Sequence, residues 1–236
     1  MRIEPFGDQA VRVRFGDQIA PHIQLSIQRL TLQVDRDPFP GFIEYVPAYT
    51  NVVFYYNPVE VIKRGKKERT AQQQVMDILS QLAEQACGNE RQIQRRVIHI
   101  PVCYGGRLGP DLNAVAAFHQ MSTDQVIKWH AQSEYLVYML GFAPGFPFLG
   151  GMSEALATPR RATPRLKVAA GSVGIAGRQT GVYPLESPGG WQIIGRTPVS
   201  LFTPKADSPT LLHAGDVVIF DPIPEQEYAQ MKGISS

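Results

Sequence analysis

Residues 141–151 read Gly141-Phe142-Ala143-Pro144-Gly145-Phe146-Pro147-Phe148-Leu149-Gly150-Gly151. Glycine and proline recur every few positions, and single aromatic residues fill the gaps. The same texture continues in Ala170-Gly171-Ser172-Val173-Gly174-Ile175-Ala176-Gly177, in Gln179-Thr180-Gly181-Val182-Tyr183-Pro184, and from Ser187-Pro188-Gly189-Gly190-Trp191-Gln192 through Gly195-Arg196-Thr197-Pro198. Short apolar runs between such corners predict short strands and tight turns, hence a β-barrel rather than a sandwich of long strands. Ala214-Gly215-Asp216 is a turn into a last strand, Val217 to Phe220.

Upstream, Gly105-Gly106 and Gly109-Pro110 break the chain. Leu112, Val115 and Ala116 suggest a helix, and Ser122-Thr123-Asp124-Gln125 is a capping box opening another. Tyr135 to Leu140 reads as a strand. In the N-terminal third, Val11, Val13 and Phe15 alternate with Arg12 and Arg14, a half-buried strand. Pro21 can open a helix whose one face carries Ile23, Ile27, Leu30 and Val34. Phe42–Val46 and Val52–Tyr56 are short strands. Val75, Ile78, Leu79, Leu82 and Ala86 form a second helical stripe, stopped by Gly88-Asn89, and Ile93–Ile100 closes with a strand. The order β-α-β-β-α-β is the ferredoxin-like pattern. The expectation is an α+β chain, with a small α/β domain over 1–95 and a β-barrel domain over 96–236.

The 236 residues are 44% hydrophobic and 19% charged, enough to bury a core and too apolar for wholesale disorder. A net charge of +2 gives no global case for nucleic acid. The basic stretch Lys63, Arg64, Lys66, Lys67 and Arg69 reads as a solvated helix approach, since no aromatic residues interleave it. No apolar run approaches a membrane span, and Met1-Arg2-Ile3-Glu4-Pro5 opens no secretory signal. Cys87 and Cys103 have neither metal spacing nor a disulfide framework, so a cytoplasmic setting is expected.

Standard catalytic motifs are absent. There is no phosphate loop of the G-x-x-x-x-G-K-[ST] type, and no G-x-S-x-G elbow; the glycines 171–177 lack the helix a dinucleotide fingerprint requires. The five histidines make no metal-binding pattern. What stands out is Arg160, Arg161, Arg165, Lys167, Arg178 and Arg196 among glycines. Guanidinium forks suit carboxylate, phosphate or carbamoyl groups, and glycines let backbone N–H groups approach a ligand. The candidate pocket is Arg160, Arg161, Arg165 and Arg196 with the 189–192 turn. Gln179 and Gln192 would hydrogen-bond a planar amide, and Trp191 or Tyr183 would cover its face. The competing reading scatters the arginines over exposed edges. His130 is the candidate acid or base if it turns toward this face; alone it is more often structural. Phe142, Phe146 and Phe148 sit on a rigid Pro-rich segment and are candidate partner anchors, or else core residues.

Tyr138 through Gly151, Gly171 through Gly177, Ser187 through Trp191 and Gly195 through Pro198, with Pro101 through Gly106 and Gly109 through Leu112, together resemble the KipI family. That family is also called the 5-oxoprolinase B subunit, or allophanate hydrolase subunit 1. The likeness runs over nearly the whole chain; one departure is Ala169 where the family has proline. The resemblance implies a cyclophilin-like barrel and a KipA-like partner, the 5-oxoprolinase C subunit. With an A subunit, these resemble an ATP-dependent 5-oxoprolinase that opens pyroglutamate to glutamate. Some members look like inhibitors of a sporulation sensor histidine kinase, and the fused pair resembles the carboxyltransferase of urea carboxylase. ATP is implied by the resemblance alone, and with no nucleotide motif in this chain its site is expected to be non-standard or in a partner protein.

Overall fold

The computed structural model describes residues 1–65, 68–88 and 95–234. The chain divides into two units, Met1–Gln94 and Arg95–Ser236.

In the first unit, β1 (Arg2–Pro5), β2 (Ala10–Arg14), β3 (Phe42–Pro47) and β4 (Asn51–Tyr56) form a sheet in the order β1-β2-β4-β3, with every neighbouring pair antiparallel. Helix α1 (Pro21–Arg36) starts on its proline, which fixes φ and gives up an N–H that the helix start cannot use. Its stripe Ile23, Ile27, Leu30 and Val34 is buried. Helix α2 (Pro58–Arg64) is capped by Asn57, whose Oδ1 accepts from the N–H groups of Val59 and Glu60. Helix α3 (Ala71–Gly88) buries Val75, Leu79, Ala83 and Ala86 in the same core. Within the basic stretch, Lys63 pairs with Glu60 at 2.9 Å and Arg69 with Asp77. Lys66 and Lys67 lie outside the described residues, as do Asn89 of the helix stop and Ile93 of the expected closing strand.

That closing strand is a correction to the ferredoxin-like order. The described part of it, β5 (Val97–Tyr104), pairs in the second unit and not with this sheet. The position beside β2 is filled instead by β1, in register from Arg2 opposite Arg14 to Pro5 opposite Val11. Ile100 and Val102 of β5 are fully buried in the barrel core, a larger apolar environment than an edge position would offer.

Among the described residues, the second unit is a closed seven-stranded barrel. Its other strands are β6 (Tyr135–Leu140), β7 (Pro147–Gly150), β9 (Ser172–Ala176), β10 (Gln179–Val182), β12 (Gln192–Arg196) and β13 (Val217–Pro222). The circuit runs β10-β7-β6-β13-β5-β12-β9, and β13 lies parallel to β5. A small hairpin-like pair, β8 (Arg165–Val168) with β11 (Ser187–Gly189), stands beside it. Helices α4 (Leu112–Phe118), α5 (Thr123–Ala131) and α6 (Glu225–Ile234) complete the unit. The capping box of α5 is present: Gln125 N–H donates to Ser122 Oγ at 3.2 Å, and Ser122 N–H to Gln125 Oε1 at 2.9 Å. Alternation along the strands sorts side chains between two cores. Ile175, Val182 and Ile194 face the main core, while their neighbours Ala176, Tyr183 and Ile193 join Phe146, Val168 and Trp191 in a second cluster.

Candidate functional site

The second cluster floors a cleft of about 370 Å³. Phe146 is its centre, with edge-to-face contacts to Trp191 (5.6 Å between centroids), Tyr183 (5.7 Å) and Phe148 (5.2 Å). This geometry sets the positive rim of one ring against the negative face of the next. Gly189 and Gly190 form one wall and Arg160 reaches the mouth. Gly189 is required there, because a Cβ would stand 2.3 Å from the Tyr183 hydroxyl. Burial raises the Tyr183 proton affinity; the Trp191 backbone N–H donated to its oxygen and the charges of Arg160 and Arg165 oppose this without cancelling it. The phenol therefore stays neutral at physiological pH. Among the described residues, no His, Cys, Asp or Glu lines this cleft, so what lines it can bind and orient a flat ligand but supplies no carboxylate, imidazole or thiolate base.

The three phenylalanines proposed as partner anchors separate. Phe146 is buried, Phe148 is half-buried, and Phe142 is 75% exposed. Phe142 also has φ of 67°, a left-handed conformation that is costly for a bulky residue. Hydrogen bonds across the loop hold it there: Gly141 N–H to Phe146 O at 3.1 Å and Ala143 N–H to Gly141 O at 2.7 Å.

The arginines divide between two places, and Asp111, which the sequence reading does not single out as a site residue, divides them. Asp111, only 4% exposed, accepts from Arg165 through both Nη atoms at 2.8 Å and from Arg161 Nη1 at 2.9 Å. Its Oδ2 also accepts from Ile193 N–H at 2.7 Å, while its own N–H donates to Ile193 O at 2.9 Å. This pairing imitates one rung of a ladder where β12 carries a bulge between Ile193 and Gly195. Burial pushes the Asp111 carboxyl up, but the hydrogen bonds from Arg165 and Ile193 and the charges of Arg165 and Arg161 outweigh it, leaving the group below the ordinary aspartate value. Arg161 also donates its backbone N–H to Gly190 O at 2.8 Å, which ties the 160–165 loop to the cleft wall.

Arg165 and Arg196 share a smaller cavity of about 150 Å³, distinct from the aromatic cleft. Gln179 lies on β10 and Gln192 donates to Pro159 O at 3.0 Å; neither lines either cavity. Arg178 pairs with Glu154.

His130 belongs to the core. It has no exposure, stacks on Phe220 at 4.8 Å, and both ring nitrogens are engaged. Thr180 Oγ1 donates to Gly174 O, so it accepts from His130 Nε2–H at 2.8 Å; Nδ1 then accepts from the Tyr104 hydroxyl at 2.8 Å. Desolvation lowers its pKa to about 3, so the imidazole is neutral. It reaches neither cavity, and its role there is to satisfy Tyr104 and Thr180 inside the barrel.

Among the described residues, no group of His, Cys, Asp and Glu is placed to hold a metal ion, and no helix is long and apolar enough to cross a membrane.

Residues 1–212 match the family model of the carboxyltransferase domain, subdomain C and D. The 5-oxoprolinase B subunit of Bacillus subtilis is 47% identical over 236 residues, covering 98% of this chain and 96% of that one. Its namesake from Escherichia coli O157:H7 is 44% identical over 222 residues and 94% of each chain. Among solved structures, the protein TTHA0988 superposes with a TM-score of 0.77 at 35% identity, over 91% of this chain. This chain spans 40% of that longer protein. The urea carboxylase of Kluyveromyces lactis, at 20% identity and a TM-score of 0.70 over 97% of this chain and 22% of that one, shares the fold. Matched along almost its whole length, the chain belongs to the KipI family, the B subunits of 5-oxoprolinase.

Proposed function

We propose that the chain is the B subunit of an ATP-dependent 5-oxoprolinase in the cytoplasm, which opens 5-oxo-L-proline to L-glutamate together with a KipA-like C subunit plus an A subunit. On this reading 96–236 is a cyclophilin-like barrel domain that presents the substrate surface, and 1–95 is a separate domain. The observation that carries the reading is the aromatic cleft. Its floor of Trp191, Tyr183 and Phe146 suits the face of a five-membered lactam, and Arg160 at the mouth suits its carboxylate. The absence of a carboxylate, imidazole or thiolate base among the described residues of the cleft fits half of a site that a partner protein completes. ATP is assigned to a partner, because this chain offers no phosphate loop. Phe142, exposed at the rim in a conformation fixed by its loop, is the anchor for that partner.

Reconstitution with A and C subunits tests this. Arg160→Ala, at an exposed position, is expected to raise the KM for 5-oxoproline by roughly tenfold while the complex still assembles. An unmoved KM in an assembled complex removes the cleft from the substrate path. Phe142→Asp is expected to abolish co-elution with the C subunit while leaving the circular dichroism spectrum unchanged; co-elution at wild-type strength refutes the anchor. The purified chain alone is expected to show no 5-oxoproline-dependent ATP hydrolysis. Turnover by the isolated chain above an Arg160→Ala control contradicts the half-site.

A further inference from the structure

The smaller cavity has a composition that the substrate reading does not explain. Arg107, Arg165, Lys167 and Arg196 line it together with Ser172, and among the described residues no Asp or Glu lines it. Three of these cations already have a carboxylate elsewhere. Arg107 pairs with Glu225 at 2.7 Å, Arg165 with Asp111 at 2.8 Å, and Lys167 with Glu186 at 3.2 Å. Arg196 differs. Among the described residues, no carboxylate lies within ion-pair distance of it. Its Nε donates to Ala170 O at 2.8 Å, which sets the plane of the guanidinium and leaves the two Nη groups unengaged by any described residue. A guanidinium half-buried among other cations, oriented by a backbone carbonyl and paired with no carboxylate among the described residues, is arranged for an anion from outside.

The backbone is shaped for this approach. Gly171 has φ of +82°, and a Cβ there would stand 2.5 Å from Thr197 O and 3.5 Å from Arg196 Cγ. Only a residue without a side chain lets the 169–171 turn close against the Thr197 carbonyl, next to Arg196. The cationic environment extends to α6: burial, and then the charge of Arg196, lower the proton affinity of Lys232. The volume, about 150 Å³, is below the several hundred that enclose a whole cofactor, so it accepts a group or a small ion.

We propose that this cavity binds a small oxyanion, a phosphate or a carboxylate group, with Arg196 as its principal ligand and Ser172 and Lys167 supporting it, at a place separate from the aromatic cleft. The site stands independently of the 5-oxoprolinase reading.

The test uses the full chain with inorganic phosphate, and with acetate at matched ionic strength, followed by calorimetry and by amide shifts at 169–172 and 196. Saturable binding of either ion is expected, with shifts confined to those residues; the ion that binds identifies phosphate or carboxylate as the source. Arg196→Ala is expected to weaken binding by roughly tenfold or more, with partial recovery in Arg196→Lys. Lys167→Ala, at a side chain 78% exposed and so safe for the fold, is expected to weaken it severalfold. Trp191→Ala, in the other cleft, is expected to leave anion affinity unchanged while damaging 5-oxoproline turnover, which distinguishes failure of this site from failure of the substrate reading. No saturable binding of either ion, or wild-type affinity in Lys167→Ala and in a folded Arg196→Ala, overturns the proposal.

Discussion

Asp111→Ala is expected to destabilise the second unit by about 3 kcal/mol, the low end of the cost of breaking a buried ion pair, because Asp111 is buried while Arg165 and Arg161 keep partial contact with water. The change strips the carboxylate from Arg165 and Arg161 and removes the acceptor of Ile193 N–H at once. Against a typical net stability of about 5–15 kcal/mol this is a large fraction. Asp111→Asn retains an acceptor for Ile193 but not the charge, and should fall between the two. Urea titration of the three proteins checks the order. Equal midpoints for wild type and Asp111→Ala would mean that the arginines find solvent or other partners at no cost.

The second large effect is a loss of stability in mild acid through His130. Its folded pKa of about 3 lies below the unfolded value of about 6.5, so below pH 6.5 the unfolded chain takes up a proton that the folded chain refuses. Stability is full above 6.5 and falls with pH from there toward 3, by about 1.4 kcal/mol per pH unit. By about pH 4 the loss attributable to this one group is roughly 3 kcal/mol. Asp111, with its depressed pKa, adds its own loss only at lower pH, below the ordinary aspartate value. Unfolding free energies at about pH 7, 5.5 and 4 for wild type and His130→Gln separate the two. The variant begins less stable and should show a flatter slope between about pH 6 and 4.5; identical slopes would remove His130 as the source.

Where structure follows from local period or local chemistry, it was legible in the sequence. The stripe Ile23, Ile27, Leu30, Val34 needs only the ~3.6-residue helical spacing, and the Ser122–Gln125 box needs only two side chains three residues apart. The Gly and Pro corners of 141–198 likewise imply short strands wherever those strands pair. Choice of partner is different. Nothing within Val97–Tyr104 says whether it joins the sheet before it or a strand more than a hundred residues later, and β1, with Arg2 and Glu4 at alternate positions, carries too little apolar signal to claim the vacant place. Asp111 shows the same limit at the site. It stands at the N-cap position of α4 yet makes no side-chain cap bond; its ligands lie 50, 54 and 82 residues onward. Once those contacts form, Arg161 and Arg165 are committed to it, and a single arginine-rich pocket becomes an aromatic cleft with Arg160 and a separate cationic cavity with Arg196.

The parallel seam between β5 and β13 also bears on biosynthesis. Val97 faces Val217, and β5 meets its other neighbour, β12, only through Gly195 and Arg196. As the chain emerges, β5 appears first and both of its flanking strands arrive near the end. Until then its backbone donors and acceptors are an open template, the kind of exposed edge that recruits other chains. Closure of long-range pairs is slow because the loop entropy is spent before the contacts return it. The ribosome must therefore release nearly the whole unit before the barrel can shut, and a nascent chain stalled before residue 217 would carry an unprotected strand edge into a crowded cell.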